Sequence, residues 1–155
     1  DNSMVWLYRP YHDSVTAGPR RRSVIQVSGC SIRCQGCYVP ETHNRHNGKK
    51  VSISSILEEI VAKRHENDGV TILGGEPFDQ SDSVAELVLR LNKLGIHIAV
   101  YTGNTIEYLS TKDDPRITNT LFHIDLLIDG PFESSLVAET GEYRGSSNQR
   151  LLQQK

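Results

Sequence analysis

The sequence predicts an α/β fold, namely a partial, laterally open (β/α) barrel with a mainly parallel curved sheet. Short apolar stretches alternate with stretches of helical periodicity, and this order is typical of parallel strands joined by right-handed crossovers. Small or polar residues follow most of the predicted strands, at the end where parallel α/β folds bind ligands. A closed eight-stranded barrel usually needs at least ~200 residues, whereas this chain has 155 residues. We therefore expect a single domain over residues 1–155 whose open side admits a large substrate.

The first predicted elements surround a loop that is rich in cysteine. Residues 24–28 form a short apolar strand that leads into this loop. Ser52 is a helix N-cap, because apolar residues follow it at helical spacing; they are Ile53, Ile56, Leu57 and Ile60. Gly69 ends the helical region, and residues 70–73 form the next strand.

The second half of the chain continues this alternation. A helix over residues 82–94 ends at the cap Gly95, and its apolar face consists of Val84, Leu87, Val88 and Leu91. A strand, a short helix, a strand and a terminal strand follow in that order, at residues 96–101, 105–109, 124–128 and 149–152.

The composition disfavours several classes of function. The 17 Lys and Arg residues against 19 Asp and Glu residues give a formal net charge of -2, so no bulk field favours nucleic acid or a membrane surface. No apolar run approaches the ~20 residues of a membrane span. The odd number of cysteines and the polar start of the chain disfavour a secreted disulfide framework. We expect a cytoplasmic protein without nucleic-acid or membrane partners.

The three cysteines of the chain, Cys30, Cys34 and Cys37, lie in one short run. Three thiolates on a tight loop can hold three corners of a cubane iron–sulfur cluster, and the fourth iron then has no protein ligand. Such an open metal position binds a substrate or cofactor, as it does on a catalytic zinc. The same cysteines with His43 or His46 could instead form a structural zinc site.

A second motif, Gly74-Gly75-Glu76-Pro77, follows the strand at residues 70–73. The two glycines allow the main chain to approach a ligand closely, and Pro77 disfavours helical geometry at Glu76. The Glu76 carboxylate can accept a hydrogen bond from an ammonium group. A zinc site does not require this motif, so the motif favours the iron–sulfur interpretation.

The cysteine spacing, the aromatic Tyr38 after the last cysteine and the Gly-Gly-Glu-Pro motif together resemble the signature of radical S-adenosylmethionine (SAM) enzymes. The resemblance implies a [4Fe-4S] cluster on the three cysteines, whose open iron chelates the amino and carboxylate groups of SAM. It further implies that Gly74, Gly75 and Glu76 bind the SAM ammonium and that Tyr38 lies near the adenine. Reductive cleavage of SAM then gives methionine and a 5′-deoxyadenosyl radical.

Two more residues at strand ends are candidate cofactor-binding residues. Thr102 follows the third strand and could donate its hydroxyl to the SAM carboxylate or ribose. Asp129 follows the fourth strand and could accept from the ribose, bind a cation or contact the substrate. Both are also ordinary turn residues, and this alternative stays open.

The similarity extends to the small activating enzymes of anaerobic ribonucleotide reductase. It rests on residues 101–103, 128–132 and 144–150 and runs from about Arg9 to Leu152. It implies that the radical abstracts hydrogen from a glycine Cα of a large glycyl radical enzyme, with anaerobic ribonucleotide reductase as the preferred partner. A radical SAM enzyme that modifies another peptide or small molecule would carry the same site residues, and a zinc-binding interaction module is the alternative from another class.

A basic run and two histidines complete the candidates. Arg20, Arg21 and Arg22 are usually read as solvated surface, but a cationic patch near the cluster would dock an acidic flavodoxin- or ferredoxin-type reductant. His97 and His123 lie on or beside predicted strands and are assigned no role.

Overall fold

The computed structural model describes residues 3–32, 43–137 and 143–154. Its strands are β1 Met4–Ser14, β2 Arg22–Val27, β3 Lys49–Ser52, β4 Gly69–Gly74, β5 His97–Tyr101, β6 Leu126–Asp129 and β7 Arg150–Gln153. Its helices are α1 Ile53–Ala62, α2 Ser81–Lys93, α3 Ile106–Thr111 and α4 Pro115–His123. The strands form one open, seven-stranded sheet in the order β3-β1-β2-β4-β5-β6-β7.

The centre of the sheet is parallel and its margins are antiparallel. The parallel pairs join β2 to β4, β4 to β5 and β5 to β6. In contrast, β1 pairs antiparallel with β2 and β3, and β7 pairs antiparallel with β6. The predicted α/β class is confirmed, but a mainly parallel sheet describes only the four central strands. A short connection permits the antiparallel β1–β2 pair, whereas each parallel pair needs a longer crossover.

The two long predicted helices are present because capping and apolar spacing agree. The hydroxyl of Ser52 accepts from Ser55 N over 3.1 Å at the start of α1, and the predicted apolar face of α2 is buried. The sequence prediction lacked α4, which begins with the Asp114 side chain accepting from Arg116 N and with Pro115 in its first turn. None of the helices in the described ranges has the length and apolar character of a membrane span.

The helices cover one face of the sheet. Alternate residues of the central strands join the apolar faces of α1, α2 and α4 in the main core; they include Ile25, Val27, Ile72, Ile98, Val100 and Leu127. The residues between them point to the opposite face. On that face, Ala99, Leu126 and Ile128 form a smaller cluster with Tyr101. Polar side chains occupy the rest of this opposite face.

Arg22 fills the amino-terminal end of this opposite face. Its side chain is 1% exposed, and Nε donates to Thr71 Oγ1 over 2.7 Å. Its Nη2 lies 2.9 Å from His97 Nδ1, which accepts because arginine has only donors. A Cβ on Gly69 would lie 2.7 Å from the guanidinium, so this close packing requires glycine. Burial lowers the pKa of Arg22 to about 10, and the side chain stays charged at neutral pH.

The basic run therefore does not form the expected docking patch. Arg20 and Arg21 are exposed, but Arg22 is buried. All three residues lie at or before the start of β2, whereas Cys30 follows its end. A six-residue strand spans about 17 Å at the usual rise per residue. The structure therefore contradicts a cationic patch beside Cys30 that is formed by this run.

Candidate functional site

Two loops lie side by side at the carboxyl ends of β2 and β4. Gly75 N donates to Val27 O over 3.1 Å, and Glu76 N donates to Gly29 O over 2.8 Å. A Cβ on Gly75 would lie 2.4 Å from Gly29 O, so only glycine permits this approach. The start of the cysteine run and the Gly-Gly-Glu-Pro motif are thus in direct main-chain contact, as their positions after parallel strands predicted.

Cys30 stands at this junction and is half-buried. Its N–H donates to His43 O over 3.0 Å. The next residue, Ser31, donates from its main-chain N to Asp79 Oδ2 over 2.7 Å and from its hydroxyl to Asp79 Oδ1 over 3.0 Å. Asp79 follows the Gly-Gly-Glu-Pro motif, so its carboxylate links the two loops at two points. Asp79 could not be predicted from the sequence, because no local pattern connects an aspartate with a serine 48 positions away.

Cys34, Cys37 and Tyr38 lie outside the described residues, and their roles stay predictions. Within the ranges that the structure describes, no three His, Cys, Asp or Glu side chains are grouped to hold a metal ion. His46, one candidate of the zinc alternative, makes an edge-to-face contact with Trp6 at a centroid distance of 5.3 Å.

Glu76 connects the carboxyl ends of β4 and β5. Its Oε2 accepts from Phe78 N over 3.0 Å and from the Thr102 hydroxyl over 2.8 Å. Its Oε1 accepts from Gly103 N over 2.8 Å. The residue is 1% exposed, so this carboxylate is held inside the protein by donors on both sides.

Burial raises the pKa of Glu76 to about 7. Desolvation disfavours the charged carboxylate, and the three hydrogen bonds oppose this effect only in part. A positively charged group beside the carboxylate would lower its pKa again. Glu76 is therefore suited to meet a cation that enters the site.

Thr102 is buried at the end of β5, as predicted, but its hydroxyl is already engaged. The hydroxyl hydrogen is donated to Glu76, and the oxygen accepts from Asn104 N over 3.0 Å. The Thr102 main-chain N donates to Ile128 O over 2.9 Å. The predicted contact of Thr102 with SAM stays a prediction, and it would compete with the bond to Glu76.

Asp129 is fully buried at the end of β6 and binds protein groups. Arg150 donates to it from Nε over 2.9 Å and from Nη2 over 2.5 Å. Ile106 N, at the start of α3, donates to its Oδ2 over 2.8 Å. Arg150 also reaches Glu107 over 2.6 Å. The predicted ribose, cation or substrate contact of Asp129 stays a prediction.

The strand ends surround a cavity of about 610 Å³, which falls within the ~300–1,000 Å³ of typical small-molecule sites. Its lining brings together five predicted site residues, namely Cys30, Gly74, Gly75, Glu76 and Thr102. These five residues thus share one cavity, whereas the buried Asp129 is not among the described residues that line the cavity.

Several lining residues were missed by the sequence analysis. Arg9 Nε donates to Gln26 Oε1 over 2.9 Å, and the guanidinium lies 4.8 Å from the centre of the Tyr11 ring. Tyr101 donates its hydroxyl to Tyr143 O over 2.5 Å. These side chains lie on alternate strand positions of the uncovered sheet face. That alternation was a usable signal for Gln26 and Tyr101.

The lining fits a cluster and a polar cofactor. The Cys30 sulfur supplies a soft ligand for iron. His43 Nε2 and Arg144 Nε are buried without a hydrogen-bond partner in the described parts of the chain, and both residues line the cavity. Buried polar atoms are rarely left unpaired in a functioning protein, so a bound molecule can supply their partners.

The chain is similar in sequence to a known protein family and to several known proteins. Residues 16–152 match the family model described as a 4Fe-4S single cluster domain. The chain is 30% identical over 149 residues to the anaerobic ribonucleoside-triphosphate reductase-activating protein of Enterobacteria phage T4, with 92% of this chain and 90% of that protein covered. It is 29% identical over 150 residues to the protein of the same name from Escherichia coli K12, with coverage of 92% and 95%.

Two further similarities are less complete. The chain is 31% identical over 115 residues to the pyruvate formate-lyase 1-activating enzyme of Escherichia coli K12, and this match covers 72% of the chain but only 45% of that enzyme. The crystal structure of QueE from Escherichia coli superimposes with a TM-score of 0.53 at 16% identity, over 66% of this chain and 53% of that one. At this identity the structural similarity concerns the fold alone.

Proposed function

The chain belongs to the family of 4Fe-4S single cluster domains and is a radical SAM activating enzyme, and from this premise we propose that it generates a glycyl radical on an anaerobic ribonucleotide reductase. Its cofactors are a [4Fe-4S] cluster and SAM. One observation carries the choice of partner. The reductase-activating relatives match at least 90% of their own length, whereas the pyruvate formate-lyase relative matches 45% of its length.

The cysteines would hold the cluster as thiolates, which are the form that binds metals. Cys30, Cys34 and Cys37 are the proposed ligands. When bound, the cluster supplies the electron that cleaves SAM into methionine and a 5′-deoxyadenosyl radical. The contact between the Cys30 loop and the Gly75 loop supports this assignment, because Cys30, a proposed cluster ligand, then lies next to the proposed SAM site.

Glu76, Gly74 and Gly75 would bind the SAM ammonium in our proposal. A carboxylate offers about four lone-pair sites, and the structure gives protein donors to Glu76 from Phe78, Thr102 and Gly103. One acceptor site then remains for the ammonium. Gly74 and Gly75 line the same cavity as Glu76, and their lack of side chains lets this segment pack directly on the main chain of Val27 and Gly29.

The remaining assignments belong to the same proposal. Tyr38 would lie near the adenine, and Thr102 and Asp129 would contribute to the SAM or substrate site. The sheet would curve as a partial, laterally open barrel, and residues 1–155 would act as one radical SAM domain. A cytoplasmic location suits thiolate ligands, because that compartment keeps cysteines reduced. A flavodoxin- or ferredoxin-type protein would supply the electron.

The test uses the cluster-loaded enzyme, SAM, a reductant and the anaerobic ribonucleotide reductase from the same genome. Electron paramagnetic resonance should show a stable glycyl radical only in the complete mixture. When the partner's glycine is deuterated at Cα, the label should appear in 5′-deoxyadenosine. Absence of a radical with this partner, together with label transfer from another peptide or metabolite, would overturn the partner and leave the radical chemistry in place.

A further inference from the structure

The polar block at residues 144–150 forms an ordered loop, although its composition indicated only a connection. Gln149 Oε1 accepts from Gly145 N over 2.7 Å and from Ser146 N over 3.2 Å. Gln149 Nε2 donates to Gly130 O over 3.0 Å, and Asn148 Nδ2 donates to Pro131 O over 2.7 Å. The loop is thereby tied to the segment that follows β6, and its first residue, Arg144, lines the cavity.

One end of the Arg144 guanidinium is fixed by this loop. Its Nη1 donates to Gln149 O over 3.0 Å and to Ser147 O over 3.3 Å. In the part of the chain that the structure describes, its Nε is buried without a hydrogen-bond partner and its Nη2 makes no hydrogen bond. The Nε–Nη2 edge is the planar pair of donors that matches a carboxylate in a two-point contact.

The charge of the cavity favours an anionic group at this edge. Arg9 and Arg144 line it, and Glu76 is the single carboxylate among the described lining residues. Glu76 is enclosed by its own donors at the ends of β4 and β5, so it does not neutralise Arg144 through a hydrogen bond. An arginine with one anchored end and one open edge binds an incoming carboxylate without further ordering of its side chain.

We propose that Arg144 is a carboxylate-binding residue of the cavity, held in place by the loop at residues 144–150. This inference rests on the proposed function, which supplies two sources of a carboxylate. One is the methionyl group of SAM, and the other is a carboxyl group on the segment of the reductase that enters the cavity.

The experiment measures equilibrium dissociation constants on anaerobic, cluster-loaded protein. The probes are SAM, decarboxylated SAM and the anaerobic ribonucleotide reductase. The variants are Arg144→Gln, Arg144→Lys and the control Arg90→Gln. Arg90 on α2 also has a buried nitrogen without a partner among residues 3–32, 43–137 and 143–154, but it does not line the cavity. Iron content and circular dichroism check that each variant is folded and loaded.

Loss of a charge-assisted, two-point contact should weaken binding by about 10- to 100-fold. If SAM provides the carboxylate, Arg144→Gln weakens SAM by this factor but leaves decarboxylated SAM unchanged. If the reductase provides it, SAM affinity stays constant and the complex with the reductase weakens. Arg144→Lys should weaken binding nearly as much as Arg144→Gln, because an ammonium lacks the planar pair of donors. The Arg90 control should match wild type throughout.

Three results would overturn the inference. Equal affinities of wild type and both Arg144 variants for SAM and reductase would exclude a carboxylate contact and leave the proposed function standing. Equal weakening of SAM and decarboxylated SAM would assign Arg144 a purely structural role. A cluster-loaded wild-type protein that binds neither SAM nor the reductase would overturn the inference and the proposed function together.

Discussion

The hydroxyl of Thr102 donates to Oε2 of Glu76 over 2.8 Å, and this bond joins the ends of two neighbouring parallel strands. Gly103 N donates to the other oxygen of the same carboxylate. Glu76 thus has two functions in one position, because it fixes the β5 loop and keeps a titratable group at the cavity wall. The first two predictions separate these functions.

Glu76→Gln should weaken SAM binding to the cluster-loaded protein by roughly 1–3 kcal/mol, the usual value of a charge-assisted hydrogen bond. The reason is that glutamine keeps the shape of the side chain but loses the charge that faces the SAM ammonium. Equilibrium dialysis with labelled SAM measures the effect. Glu58→Gln, an exposed change on α1, is the matched control. Unchanged SAM affinity in a folded, iron-loaded Glu76→Gln protein would reject the ammonium contact.

The stability of the wild type should depend on pH through Glu76. Its pKa in the folded protein is about 7, raised by burial from the ordinary glutamate value of 4.5. Protonation therefore stabilises the folded state below pH 4.5, and this contribution is lost as the pH rises through about 7. The full difference corresponds to roughly 3 kcal/mol.

Urea unfolding of wild type and Glu76→Gln between about pH 5 and pH 8 measures this contribution. The free energy of unfolding of the wild type should fall relative to the variant as the pH rises. The contributions of other titrating groups cancel when the free energies of unfolding of the two proteins are subtracted. One such group is His97, whose pKa is lowered by burial and by Arg22. A constant difference across this range would show that Glu76 stays in one protonation state.

Asp79→Asn should loosen the cysteine loop. The asparagine Oδ1 can still accept from Ser31 N and its Nδ2 can donate to the Ser31 hydroxyl, but neither contact is then charge-assisted. We expect iron loss to a chelator to become about fivefold faster, which corresponds to a loss of about 1 kcal/mol. The reduction potential of the cluster should also rise, because a negative charge near it is removed.

The control for Asp79 is Asp68→Asn, an exposed change before β4. It removes the same charge far from the cysteine loop and should alter neither the rate of iron loss nor the potential. If Asp79→Asn behaves like this control in both measurements, the two-point contact with Ser31 does not support the cluster.

Cys30→Ala should abolish the cluster. Anaerobically reconstituted wild type should contain about four irons per chain, and the variant should contain almost none, because two thiolates cannot retain a cubane. Iron analysis and absorption spectroscopy measure the difference. Ser31→Ala removes the hydroxyl contact with Asp79 but no thiolate, and it should still assemble a cluster with the iron content of the wild type. A wild type that binds only zinc under these conditions would contradict the radical SAM assignment.

Much of the central fold could be predicted because local signals agree there. The Ser52 cap and the apolar spacing of α1 and α2 gave both helices within a few residues, and the central strands are short apolar runs. β1 was missed although Val5 and Leu7 are buried and alternate with partly exposed neighbours. The later part of β1 contains Arg9 and His12, whose polar side chains do not indicate a strand. Pairing with β2 stabilises this part.

The site was predictable where a motif follows a strand and unpredictable where distant segments meet. Gly75 and Glu76 lie where expected, because parallel strands bring their carboxyl ends to one edge. The contacts of Ser31 with Asp79 and of Arg150 with Asp129 depend on the packing of segments that are far apart in the chain. Asp114-Pro115, in contrast, is a local N-terminal signal for α4 that the sequence already contained.

The buried guanidinium of Arg22 has a consequence for the order of events in the catalytic cycle. It fills the amino-terminal end of the uncovered sheet face, and Thr71, which it contacts, donates to the cavity-lining Ala17. In the described parts of the chain this packing closes the amino-terminal end of the face, so we expect molecules to reach the cavity from the edge that carries Cys30. A large protein docked at this edge would cover the entrance. SAM should therefore load first, and methionine and 5′-deoxyadenosine should depart only after the partner dissociates.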